Sequence, residues 1–196
     1  MYSRVIVAPP VEPLTLTEVK LDRGVEHTLH DDLLTALIRS AREYVENYCS
    51  LSLITQTREL ILDAFDTSLE LPYGPVQSVT AIEYADTNGI TTTLAAADYT
   101  VNVNRYAAMI APAWGLYFPT TRWQANAVTV RYIAGYAPLT ASPTDYTYNI
   151  PPGIKTAMKL LIGNWYENRE ATSDRPQHEI PMAVTHLLGQ HRTSWI

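Results

Sequence analysis

The chain has 196 residues, 46% of them apolar and 17% charged, with a formal net charge of −6. That length specifies one domain, or one domain with a large insertion, and it buries a core without covalent staples. The acidic balance, without any Lys/Arg run, excludes a general nucleic-acid binder, and the single cysteine, Cys49, excludes an intrachain disulfide and a cysteine-based zinc site.

Residues 1–13 read as extended and proline-punctuated, with an apolar run too short for a signal peptide. No stretch approaches membrane-spanning length, so the chain is expected to be made in the cytosol and to have no membrane partner. Thr15-Leu16-Thr17-Glu18 is a capping box and predicts a short helix over 15–21. Residues 22–30 form a loop. Asp31 or Asp32 is expected to cap a helix over 32–49, whose apolar stripe is Leu34, Leu37, Ile38, Ala41, Tyr44, Val45 and Tyr48. Arg39, Arg42, Glu43 and Glu46 fall mostly outside that stripe.

After Ser52 the pattern changes to β-formers. Strands are predicted over 55–62, 69–71, 76–84, 90–94, 99–103, 108–111 and 127–132, with Asp86-Thr87-Asn88-Gly89 as a turn. Residues 137–149 form a linker rich in Pro, Thr and Tyr. Pro151 and Pro152 stand where a helix starts, and Ile154, Ala157, Met158, Leu161, Ile162 and Trp165 share one face of it. A polar aromatic block, residues 165–170, closes this helix. Residues 171–180 are polar, and a last amphipathic helix is predicted over 182–190. The resulting fold class is α+β: a discontinuous helical core (14–53 and 150–192), an inserted antiparallel β unit (54–136), and extended termini (1–13 and 193–196).

No residue set points to catalysis, a cofactor or a metal. His27 and His30 lack zinc-site spacing and read as a solvated loop before a helix cap. His186 and His191 are not spaced i,i+4 and read as a solvated or intersubunit face. Glu167, Arg169 and Glu170 on a helix end read as a solvated or salt-bridged face. Asp63, Asp66 and Asp86 lack calcium-loop spacing, and Ser50 and Ser52 lack a nucleophile-elbow setting. Cys49 reads as a buried, inert thiol, and Gly163 as a point of close helix packing. For Trp195 and Ile196 two readings stay open: a frayed terminus, or an anchor in a neighbour's pocket.

Several segments, in order, resemble the gp6-like head–tail connector (adaptor) family of tailed phages and prophages, in its branch with a β insertion. They are 13–20 (PLTLTEVK), 33–38 with 41–46, 54–57, 71–79 (LPYGPVQSV), 132–136 (YIAGY) and 154–170. The resemblance covers roughly residues 13–192, most of the chain. The resemblance implies a structural protein of the virion neck, made in the bacterial host. It forms a ring, of twelve copies to match a twelvefold portal. It sits below the portal protein, extends the DNA channel without sequence-specific DNA binding, and docks a neck, stopper or tail-completion protein.

Under that reading Tyr166, Glu167, Asn168 and Arg169 become candidate ring contacts. Arg192, Trp195 and Ile196 become candidate portal contacts, because the family's C-terminal region tends to reach the portal. Two other classes stand beside it: a tyrosine-rich β unit that binds a carbohydrate or host receptor, and an enzyme of unrecognised type.

Overall fold

A computed structural model describes residues 1–103, 108–138, 149–168 and 182–192. It is an α+β protein whose chain divides into two compact units. One comprises residues 1–10 and 54–137, the other residues 11–53 and 138–196.

The second unit contains α1 (Leu16–Arg23), α2 (Asp31–Cys49), α3 (Pro152–Glu167) and α4 (Met182–Gly189). Helix α1 starts as the sequence predicts. The Thr15 hydroxyl accepts from the Glu18 amide at 3.1 Å, and the Glu18 carboxylate accepts from the Thr15 amide at 2.9 Å. The second predicted cap does not form. His30 occupies the N-cap of α2 without a side-chain cap bond, and Asp31 instead accepts from Lys20 Nζ at 2.6 Å, tying α1 to α2.

The buried face of α2 also departs from the apolar stripe. Leu37, Tyr44 and Tyr48 are only half-buried, whereas Arg42 and Glu46 are buried. The reason is a charge network. Arg42 Nε donates to Glu12 at 2.7 Å and Nη1 to Glu46 at 3.0 Å, while the other Glu46 oxygen accepts from the Leu53 amide at 2.8 Å. Buried charges are tolerated when they are paired and their lone pairs are satisfied in this way. Burial pulls the Arg42 guanidinium down, but its bonds to Glu12 and Glu46 outweigh that and hold it above its ordinary value.

Helix α3 buries Ile154, Ala157, Met158, Leu161 and Ile162, as its period predicts. Trp165, expected in the core, is half-buried, its ring edge-on to Tyr44 at 6.2 Å. Gly163 is buried, with the Arg23 guanidinium lying where a Cβ would project. Helix α4 contributes Val184 and Leu188, and the Cys49 thiol donates to the Leu188 carbonyl at 3.7 Å.

The first unit holds β1 (Tyr2–Val7), β2 (Gln56–Leu62), β3 (Leu69–Leu71), β4 (Val76–Ala85), β5 (Thr91–Thr93), β6 (Tyr99–Val103), β7 (Ala108–Pro112) and β8 (Val128–Ala134). They form a five-stranded sheet in the order β1-β2-β8-β4-β5 and a three-stranded sheet in the order β3-β7-β6. Every pairing is antiparallel. Leu60, Ile82, Val128 and Val130 of the larger sheet join Leu69, Leu71 and Ile110 of the smaller in one core. The Tyr132 ring is wholly buried in that core and its hydroxyl donates to Pro72 O at 2.7 Å.

The alternate face of β2 and β8 carries a charge ladder. Arg4, Glu59 and Arg131 occupy one register across β1, β2 and β8. Both Arg4 and Arg131 donate to the buried Glu59, at 2.6 and 3.3 Å. At the predicted turn the Asp86 carboxylate accepts from the Asn88 and Ile90 amides, each at 2.8 Å, and Gly89 takes φ +84°. These amide bonds hold the Asp86 carboxyl below its ordinary value.

Candidate functional site

The end of α3 carries four of the sequence-predicted contact residues. They do not behave as one patch. Tyr166 is half-buried and shares a hydrogen bond of 2.6 Å with His30 Nδ1. His27 lies edge-on to His30 at 4.6 Å. Tyr166 is thus built into the unit, and His30 fastens α3 to the start of α2. Glu167 and Asn168 face solvent. Glu167 lies 3.9 Å from Arg23, a weak surface pair, and the Asn168 side chain donates back to the Asn164 carbonyl at 3.0 Å. Arg169 lies outside the described residues.

At the far end of the unit, Arg192 is exposed with its guanidinium 5.6 Å from the Tyr48 ring centre. Tyr48 stacks on Tyr44, and Tyr44 meets Trp165. A half-buried line of aromatics therefore runs along α2 from α3 to the arginine. Burial raises the Tyr44 phenol above its ordinary value. Trp195 and Ile196 lie outside the described residues, so their two readings stand as they were.

Among the described residues the most exposed aromatic surface lies in the other unit, where the sequence reading weighed a tyrosine-rich binding unit but named no residue. Between β7 and β8, Trp114 is 101%, Trp123 102% and Tyr117 93% exposed. The segment that bears them is anchored. Ala113 N donates to Asp98 O, Arg122 N to Ala85 O and Asn126 N to the Asp63 carboxylate, at 2.8 to 3.1 Å. Phe118 stacks on Phe65 with ring centres 4.7 Å apart, and beside them Tyr117, Pro112 and Asp66 help line a cleft of about 430 Å³. The sequence signal was the density of aromatics, Trp114, Tyr117, Phe118 and Trp123, in a segment without strand or helix period.

The residues weighed for chemistry have structural partners or poor chemical credentials. Burial pushes the Cys49 thiol up to about 11, outweighing the nearby Arg192 charge, so it is a poor nucleophile. Asp66 and Asp86 accept from backbone amides one and two residues on, and Asp63 from the distant Asn126 amide. Among the described residues no group of three or more His, Cys, Asp or Glu side chains is placed to hold a metal ion. No helix among them is long and apolar enough to cross a membrane.

No curated protein sequence matches the chain. The fold does have solved counterparts. A chain in the virion of a native gene transfer agent particle superposes with a TM-score of 0.79 at 23% identity, over 100% of this chain and 97% of that one. A chain in the neck of an empty particle, computed with C6 symmetry, gives 0.78 at 23% identity with the same coverage. One in the neck of a native particle, computed with C12 symmetry, gives 0.72 at 24%, again over 100% and 97%. At this identity the likeness establishes a shared fold. Residues 13–109, which run from just before α1 into β7, match the family model of the phage gp6-like head-tail connector protein.

Proposed function

We propose that the chain is a structural, non-enzymatic head–tail adaptor of a tailed phage or prophage, resident in the virion neck. In this reading copies close into a ring of twelve below the portal, extend the DNA channel, and offer a docking surface to a neck, stopper or tail-completion protein. The observation that carries it is the match of residues 13–109 to the connector family, joined to a fold shared end to end with a chain of gene transfer agent necks treated with C12 and C6 symmetry.

The physical features support the same reading. A closed ring needs two different surfaces on each subunit, joined by a rotation. The chain has exposed apolar surface on its β unit and exposed polar residues, Glu167 and Asn168, at the end of α3. An acidic protein lining a channel lets DNA slide rather than stick. Residues 191–196 serve in this account as a portal anchor, begun by Arg192 on Tyr48.

The test is co-purification with the portal protein of the same phage or prophage. The full chain is expected to bind the portal ring. Removing residues 191–196 is expected to leave the far-UV circular dichroism unchanged and weaken that binding. A full chain that never binds the portal would contradict the adaptor reading, and undiminished binding by the truncated chain would contradict the anchor.

A further inference from the structure

We propose that the Asn88–Gly89 peptide is the chain's site of spontaneous deamidation, and that Asp86 holds its reacting groups in place while the β4–β5 turn is closed. Of the asparagines in the sequence, Asn88 alone is followed by glycine. The reaction needs that neighbour. The amide nitrogen after the asparagine must swing onto the side-chain carbonyl carbon, and a glycine has no Cβ to block the approach or restrict the backbone. Asn88 and Gly89 are both exposed, so solvent reaches the peptide.

In the reaction the Gly89 nitrogen gives up its proton and attacks Cγ of Asn88. A carbon–nitrogen bond forms, the bond from Cγ to Nδ2 breaks, and Nδ2 leaves as ammonia with that proton. The product is a five-membered succinimide. Water then adds to either of its two carbonyls and breaks one ring carbon–nitrogen bond. This leaves an aspartate, or an isoaspartate whose main chain runs through the side-chain carbon.

The fold ties both reacting groups to one residue. The Gly89 amide, the nucleophile, donates to the Asp86 carbonyl at 2.9 Å. The Asn88 side-chain amide, which supplies the leaving group, donates to Asp86 Oδ2 at 3.5 Å. The other carboxylate oxygen accepts from the Asn88 and Ile90 amides, on either side of the reacting peptide, at 2.8 Å each. The turn must surrender these bonds before Gly89 N can reach Cγ, and bonds to a charged acceptor are the stronger kind. The product in turn disturbs its surroundings. β5 is an edge strand that pairs with β4 from Glu83 opposite Thr93 to Ala85 opposite Thr91, and an isoaspartate inserts an extra main-chain carbon into the turn joining them. The new carboxylate also arises beside the Arg122 guanidinium, which lies against Gly89.

The test follows the full chain in mildly alkaline buffer by peptide mass spectrometry, reading the amide-to-acid mass gain at residue 88. Unfolded in urea, the chain is expected to deamidate first at Asn88. The folded wild type is expected to react there at least about tenfold more slowly. Asp86→Ala, with the circular dichroism of the wild type, is expected to regain at least about tenfold in rate. Asp86→Asn keeps a carbonyl oxygen in the same place and is expected to fall between the two; it decides the matter if the alanine variant does not fold. Deamidation in urea led by any other asparagine would overturn the site. A folded wild type that reacts as fast as the unfolded chain, or a folded Asp86 variant of either kind that reacts no faster than wild type, would overturn the hold of Asp86.

Discussion

Two residues carry local conformations that the rest of the fold depends on. Gly135 follows β8 with φ +121°, and a Cβ there would collide with the Ile54 carbonyl. The obstacle is backbone, which cannot swing aside as a side chain can, and the φ itself is one that residues with a Cβ rarely adopt. Gly135→Ala is therefore expected to cost about 3 kcal/mol or more in urea unfolding; a change under about 0.5 kcal/mol, the size of an ordinary surface effect, would refute this account. Thr15 is a simpler case. Its loss to Ala removes the capping box and is expected to cost about 1 kcal/mol. The Thr15 amide holds the Glu18 carboxyl below its ordinary value. A carboxyl depressed in the folded state stabilises above its unfolded pKa, and that contribution disappears as pH falls through the lower folded value. The deficit of a Glu18→Ala variant should accordingly be full at neutral pH and shrink in acid, below about pH 4.3. A deficit that stays constant from neutral pH down to pH 3 would contradict the assignment.

At the scale of elements, what could be read from the sequence was whatever is local in the chain. The capping box placed α1. The 3.6-residue period placed α2 and α3, and alternation at Val128, Val130 and Tyr132 placed β8. The order of strands in the sheets was not legible, because β1 finds its partner β2 some 55 residues away, as at Arg4 and Glu59. The same reason hid the buried side of α2. Arg42 and Glu46 look solvated until Glu12 and the Leu53 amide arrive to satisfy them. Since an unpaired buried charge is costly, Arg42→Ala is expected to destabilise by about 3 kcal/mol. Arg39→Ala, at an exposed residue 3.8 Å from the same Glu12, should cost under about 0.5 kcal/mol. Equal losses for the two arginines in chemical denaturation would show that the network is not the buried tie described. The aromatic block at the end of α3 was visible in the sequence, but the bond of Tyr166 to His30, 136 residues away, and the greater exposure of Glu167 and Asn168 were not.

For the whole molecule, composition excluded more than it assigned. The acidic balance and lone cysteine removed nucleic-acid binding, disulfide and zinc chemistry, and only the ordered set of segments pointed to a connector. The fold then adds surfaces that those segments did not reveal: the exposed edge strand β1 and the pinned, exposed aromatics between β7 and β8. In the adaptor reading, copies of this chain form a ring at the neck. Electron microscopy of necks from purified particles is expected to show a closed ring of this chain directly below the portal, with twelvefold symmetry and an open channel on its axis; particles that lack the chain, or carry it as isolated copies outside the neck, would contradict the reading.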